Sequence, residues 1–228
     1  MTAAASGGQG PAVRVPPAPR CSLHPLAGLV ATVTGWATRG DPPRVFSTLG
    51  RHPRLFRSWL RFSTTLLLRG DLPPAERELA ILRTAWLCRS WYEWAQHGAL
   101  ASHAGLDAQD VERVMEGPDA RGWCPRHRLV LAATDELHDR RVVTDATWRA
   151  LSAELTDRQL IELCLLVGHY EMLAMTLNSL GVEPEPTSLA KLHGGGAEGA
   201  ERLRVGLMAA RGTEVSEAIG STAPRTRP

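Results

Sequence analysis

The chain has 228 residues, 43% of them hydrophobic, enough for one sizeable core without requiring a second independent domain. Its 26 basic and 24 acidic residues nearly cancel to a formal charge of +2, and the only lysine is Lys191, so no electrostatic platform for nucleic acid is expected. Cys21, Cys88, Cys124 and Cys164 are scattered without a Cys-x-x-Cys pair, which argues against a zinc knuckle and a thioredoxin-type couple and suits a reducing cytoplasm.

Residues 1–22, rich in Ala, Gly and Pro, offer little apolar surface against the entropy of ordering and read as a disordered arm. They lack the apolar run of a secretory signal. No run along the chain approaches the roughly 18 apolar residues of a membrane span, so a cytoplasmic protein with no membrane partner is expected. A short helix is expected over 23–39, closed by Gly40, Pro42 and Pro43. Over 53–69 a second places Phe56, Trp59, Phe62 or Ser63, and Leu66 on one stripe, and Gly70 ends it; Arg54, Arg57 and Arg61 read as its solvated face. Pro73 and Pro74 then signal a helix start, because the first turn tolerates a missing backbone donor. Glu78 shares that helix's stripe with Ile81, Leu82 and Ala85, a position where burial raises a carboxyl pKa unless a partner compensates.

Ser90-x-x-Glu93 has the pattern of a capping box and starts a helix to Ala104, with Gly105 as its stop. Short helices are expected over 107–115 and 144–153, and a longer one from Pro125 to about Arg140 after a loop at Gly117, Pro118 and Gly122. The longest element runs over 157–180, opened by a Thr156-x-x-Gln159 capping box and closed by Gly181. It is apolar nearly all round, which calls for burial at the centre of the domain or at a subunit interface. A faint echo of 76–93 in 157–171 suggests a duplicated helical hairpin. Residues 183–228, with a weak helical pattern over 198–210, read as a tail. No strand pattern competes, so the expected fold is all-α, with one helical domain over 23–182.

The stretch 76–106 holds polar chemistry that packing alone does not need. Glu93 and His97, four apart, share one helix face, and Glu78 and Ser90 precede them. These residues resemble the carboxymuconolactone decarboxylase / alkyl hydroperoxidase D (AhpD-like) superfamily, whose redox members carry a Glu and, beginning twelve residues later, Cys-x-x-Cys-x-x-x-His. Glu78 and His97 fall on the family Glu and His, while Ser90 and Glu93 stand where the two cysteines would be. The phrase Tyr92-Glu93-Trp94-Ala95-Gln96-His97 is similar to the cysteine-free, decarboxylase-like branch, and the resemblance extends over 53–182 to Gly168-His169-Tyr170. It implies an AhpD-like helical bundle, a trimer or hexamer, and cofactor-independent chemistry with no metal.

Under that resemblance His97 is the candidate proton donor, with Glu78 orienting it and Glu93 as a second acid or base. A histidine titrates close enough to neutrality to move a proton there. Ser90, Arg83, Tyr92, Trp94, His169 and Tyr170 are candidates for holding a small-molecule substrate, a carboxylated lactone or related carbonyl compound. Plainer roles stand beside these. Glu93 caps its helix, His97 is satisfied by a backbone carbonyl, Trp91, Tyr92 and Trp94 fill the core, and Cys88 and Cys164 are buried thiols. His169 and Tyr170 interrupt an apolar helix, so each needs a partner in a pocket or across a subunit interface. Two other functions remain open: thiol-dependent peroxide reduction, which lacks its cysteine pair, and non-catalytic small-molecule binding by an oligomer.

Overall fold

The computed structural model describes residues 13–19 and 42–188. The helix expected over 23–39 and the helical pattern over 198–210 lie outside the described residues. Among those residues every regular element is a helix, in the order α1 (Arg44–Leu49), α2 (Pro53–Leu68), α3 (Pro74–Leu87), α4 (Trp91–Leu100), a 3-10 turn (Ala101–Ala104), α5 (Ala108–Glu116), α6 (Pro125–Arg140), α7 (Asp145–Ser152) and α8 (Asp157–Leu180).

The expected boundaries hold to within one or two residues because the ends carry local chemistry. Pro53, Pro74 and Pro125 occupy the first turns of their helices. Asp107 and Thr156 each form a reciprocal capping box, with Asp110 and Gln159. Gly105 and Gly181 take left-handed conformations, φ 86° and 70°, at the ends they close.

α3 is the central helix and packs against α4, α5, α6 and α8. Both of its flanks are buried. Leu79, Leu82 and Ala85 join a cluster with Trp91, Trp94, Val114 and Leu131, whereas Ala80 and Ile81 join one to which α8 contributes more residues than any other helix, among them Leu160, Leu163, Leu166, Val167 and Tyr170. A polar side chain on α3 is therefore walled by protein on either side. α8 carries most of its weight in that second cluster, yet Ile161, Leu165, Met172 and Met175 are 48–61% exposed. Contrary to the sequence expectation, α8 is long and apolar enough to cross a membrane by length and composition, with mean hydropathy 1.5 over its window. More than half of that window is packed inside the domain, which is how the core helix of a helical bundle meets the same criterion. The partner of the faint repeat is this single uninterrupted helix; the first copy breaks at Arg89, whose φ of 52° ends α3, and the second has no such residue.

Residues 13–19 fall within the stretch expected to be a disordered arm, and they are docked. The amides of Arg14 and Val15 donate to the Leu180 carbonyl, and Ala18 is buried with its amide on the Ser47 carbonyl. Past Val182, where the tail was expected to begin, Glu185 is only 1% exposed. Its carboxylate accepts from the Arg44 amide, the Tyr92 hydroxyl and the Gln96 side chain.

Candidate active site

Glu78, in the middle of α3, meets His97, in the second half of α4. His97 Nδ1 lies 2.7 Å from Glu78 Oε2, and both residues are buried. Burial pushes the Glu78 carboxyl upward, but His97 and then Arg77, whose Nε is 3.5 Å from Oε1, outweigh it and hold the group below the usual carboxylate value. The compensating partner that a mid-stripe carboxylate requires is thus the histidine. Since Glu78 is ionised, His97 Nδ1–H must be the donor. The opposite ring nitrogen, Nε2, lies 3.0 Å from the Tyr170 hydroxyl of α8. Glu78, His97 and Tyr170 form one buried hydrogen-bonded chain, drawn from three helices. Burial first, and then the charges of Glu78 and Glu93, push the Tyr170 phenol well above its ordinary value, so it stays a hydroxyl at hydrogen-bond distance from the imidazole.

Glu93 stands beside this chain in a different state. It is 2% exposed, and among the described residues neither carboxyl oxygen has a partner at full hydrogen-bond geometry, the Ser90 hydroxyl being its near neighbour. Burial outweighs the opposing Ser90 hydroxyl and, with a smaller contribution from Glu171, pushes it up to about 8. The expected capping box is not formed: Ser90 occupies the N-cap position, but its hydroxyl is buried without a partner and Glu93 does not reach back. The Ser90 amide is taken instead by the Ala85 carbonyl at the end of α3, which removes the donor that a capping glutamate would accept from. Glu93 is left as a buried acid, protonated near neutral pH, four residues before the histidine that the Glu78 carboxylate holds.

A carboxymuconolactone decarboxylase family model matches residues 53–136. Among solved structures, the peroxidase-related AhpD-core protein of Ralstonia eutropha JMP134 overlays with a TM-score of 0.72 at 21% identity, covering 80% of this chain and 97% of that one. A peroxidase-related protein of Silicibacter sp. TM1040 gives 0.70 at 14% identity, over 79% and 96%. The debrominase Bmp8, in complex with 2,3,4-tribromopyrrole, gives 0.67 at 14% identity, over 78% and 95%. No curated protein matches the sequence. Residues 53–136 thus match the carboxymuconolactone decarboxylase family, and the helical domain has the fold of AhpD-like proteins. The matched segment contains Glu78, Ser90, Glu93 and His97, while Tyr170 lies beyond it on α8.

The other candidate residues divide by location. Arg83 is committed elsewhere: Nε and Nη2 grip Asp135 of α6 at 2.6 and 2.9 Å, and Nη1 donates to the carbonyls of Val114 and Met115. It ties α3 to α5 and α6, and its expected hold on a substrate carboxylate has no support in this geometry. Tyr92 turns to the far side of α4, where its hydroxyl donates to Glu185 and accepts from the Val45 amide. Trp94 is fully buried against Trp86, ring centroids 5.5 Å apart, and fills the core. His169 is buried with neither ring nitrogen hydrogen-bonded among the described residues, 6.3 Å above Trp59 and edge-on to Phe62 and Tyr170. Burial, then the neighbouring His97, push it down to about 4, so it is a neutral ring at physiological pH. Of the expected set, then, Glu78, His97 and Tyr170 are bonded to one another, Glu93 and His169 are close neighbours, and Arg83, Tyr92 and Trp94 serve the fold.

The sequence reading placed Tyr170 in a substrate pocket and missed it as the partner of His97. The signal was thin, because 73 residues separate the two. It also missed a second polar group. Cys88, at the end of α3, has its Sγ 3.8 Å from His138 Nδ1 on α6, and the same nitrogen bonds Glu171 Oε1 on α8. The three ligating atoms lie within 4.8 Å of one another. Burial first, then the Glu171 charge, push the Cys88 thiol far up.

Proposed function

We propose that this protein is a cofactor-independent acid–base enzyme of the carboxymuconolactone decarboxylase type, acting on a small carboxylated lactone or related carbonyl compound. The observation that carries the reading is the chain Glu78–His97–Tyr170 with an unpartnered carboxyl, Glu93, at its side. Loss of carbon dioxide, or proton removal next to a carbonyl, leaves enolate-like charge that needs donors and then a proton. The Tyr170 hydroxyl supplies a donor, and His97 exchanges its proton through Nε2. The Glu78 carboxylate fixes the tautomer and stabilises the imidazolium as it forms. Glu93, protonated near neutrality, is a second proton source. Buried surroundings strengthen each of these interactions and exclude water from the reacting carbon.

Thiol-dependent peroxide reduction, suggested by the descriptions of two of the structural neighbours, fits less well. A peroxidatic cysteine needs a stabilised thiolate, and the surroundings of Cys88 favour the thiol instead. Assembly into a trimer or hexamer and residence in a cytoplasm are part of the same proposal. The three described cysteines are free, which fits a reducing compartment.

The test is turnover by the purified protein on a panel of small carboxylated lactones and organic hydroperoxides, with and without a thiol reductant. We expect carbon dioxide release from a lactone, independent of thiol, to fall by about 100-fold or more in His97→Gln while the helical content is kept. An unchanged rate in that variant overturns the role of His97. Peroxide consumption that requires thiol and is lost in Cys88→Ser would establish the redox activity instead, and silence on both, with ligand-induced stabilisation, would establish a binding protein.

A further inference from the structure

Three helices deliver Cys88, His138 and Glu171 to one place, and neither the Glu78–His97–Tyr170 chain nor the packing of the core accounts for them. The hydrogen-bond pattern distinguishes two uses. In a nucleophilic triad the thiol and the carboxylate bond opposite nitrogens of the imidazole, so that the ring passes a proton between them. Here Cys88 Sγ and Glu171 Oε1 converge on the same nitrogen, Nδ1 of His138. A relay cannot run through one atom. Three donors of sulfur, nitrogen and oxygen type whose ligating atoms all lie within 4.8 Å of one another can instead surround one metal ion.

We propose that Cys88, His138 and Glu171 form a binding site for a divalent transition ion of the zinc class. One thiolate, one imidazole and one carboxylate neutralise the ion's two charges and match the donor types such ions take. Ligand atoms around a tetrahedral ion stand about 3.3 to 3.6 Å apart when metal–ligand distances are about 2.0 to 2.3 Å. The 3.8 Å separation of Sγ and Nδ1 is already near that spacing. The His138–Glu171 contact is closer, because a proton rather than an ion lies between them, and it opens by a side-chain torsion. Binding sends the thiol proton of Cys88 to solvent and displaces the proton shared by His138 Nδ1 and Glu171, which solvent accepts as Nε2 takes one up, so the imidazole stays neutral with its proton on Nε2. Each ligand is partly exposed, which gives the ion a way in.

A second observation points to the same place. Glu93 is 2% exposed with both oxygens unpartnered, and it lies close enough that its charge acts on Cys88 and the charge of Glu171 acts on it. A buried carboxyl without a partner is costly, and a cation next to it removes the cost. The surroundings are also braced. Asn178 donates to the Cys88 carbonyl at 3.0 Å, and Arg141 holds the other oxygen of Glu171 at 3.2 Å. Arg89 and Arg141, the two non-glycine residues with positive φ among those described, follow Cys88 by one position and His138 by three. Backbone held in this region is retained where the surroundings over-determine it.

The experiment is a titration of Co2+, followed by Zn2+ in competition, into the full-length protein purified under a non-chelating reductant after dialysis against a chelator. We expect a thiolate-to-cobalt charge-transfer band and the visible absorption of tetrahedral cobalt, saturating at one ion per chain and abolished by zinc. The band should be lost in Cys88→Ser and His138→Ala, weakened about tenfold or more in Glu171→Gln, and retained in Cys124→Ser, Cys164→Ser and His97→Gln. Circular dichroism of each variant establishes that it is folded. Should Cys88→Ser fail to fold, Glu171→Gln and the zinc-dependent rise in melting temperature of the parent decide the matter. No charge-transfer band, or a band that survives in Glu171→Gln and disappears in Cys124→Ser, overturns the proposal. Because the readout is spectroscopic and does not use turnover, it stands or falls apart from the acid–base reading of Glu78 and His97.

Discussion

Glu93 and His169 are buried ionisable groups that no partner among the described residues holds in the charged form, and each ties stability to pH in its own direction. Glu93 is held protonated up to about 8 in the folded protein, against 4.5 ordinarily. The folded state therefore binds the extra proton, and stability falls as pH rises from about 4.5 to about 8, by about 5 kcal/mol at most. Glu93→Gln, which copies the neutral acid, should match the parent at pH 5 and exceed it in melting temperature at pH 8. Equal melting temperatures at both pH values would show the carboxyl to be ionised. His169 runs the other way. Its folded value near 4 lies below the ordinary 6.5, so the unfolded chain binds the proton first and stability is lost as pH falls from about 6.5 to about 4, by about 3 kcal/mol. In His169→Phe that acid lability should be reduced, as read from denaturation midpoints at pH 4.5 and 7. Tyr170→Phe removes the only hydroxyl on His97 Nε2 among the described residues while keeping the ring, and should lower turnover by about 10 to 100-fold with little change in the fold. A turnover unchanged in that variant would make Tyr170 a packing residue.

At the level of helices, the arrangement depends on α3 being held at a fixed depth. Arg83 does much of this by bridging to Asp135 and to the last carbonyls of α5, with its guanidinium against the α-carbon of Gly117. A Cβ at Gly117 would fall 2.7 Å from Arg83 Nη2, and φ there is 94°, so glycine is needed for both space and conformation. Asp135→Asn leaves the Arg83 charge buried and half-paired, and should destabilise the domain by about 3 kcal/mol, measured by denaturant titration. A change below about 1 kcal/mol would mean that the two α5 carbonyls suffice. Glu162 of α8 plays a comparable part at the other end of α3, accepting from the amides of Asp71 and Leu72 in the turn after α2. The two anchors set α3 against α6 and α8, and that setting aligns Glu78 with His97 and Tyr170.

For the molecule as a whole, the exposed side of α8 is the feature that the isolated chain leaves unpartnered. Ile161, Leu165, Met172 and Met175 recur at helical spacing, and Gly168 between them has open space where a side chain would be. A stripe of this kind on a core helix is what an interface between copies of the chain would cover. Ile161→Lys combined with Met172→Lys should lower the solution mass to that of a monomer by light scattering without loss of helix. A parent protein that is itself monomeric would exclude this face as the interface. Such an interface would lie on the same helix as Tyr170 and Glu171.

Much of this was written locally. Proline at first turns, the Thr156–Gln159 box, the Gly105 and Gly181 stops and the spacing of apolar residues determined where the helices lie, because each acts over a turn or less. Glu78 and His97 were legible as a pair through their family spacing, which is itself a consequence of two helices joined by a short turn. The failures share a cause. The Ser90–Glu93 box was read from spacing and lost to the Ala85 carbonyl; Tyr92 was placed with His97 and faces Glu185; Arg83 was offered to a substrate and holds Asp135. The meetings of Tyr170 with His97, of Cys88 with His138, and of His138 with Glu171 join residues 73, 50 and 33 positions apart. No periodicity encodes such distances. They are set by the packing of α3, α4, α6 and α8, where burial decides which polar groups must find each other.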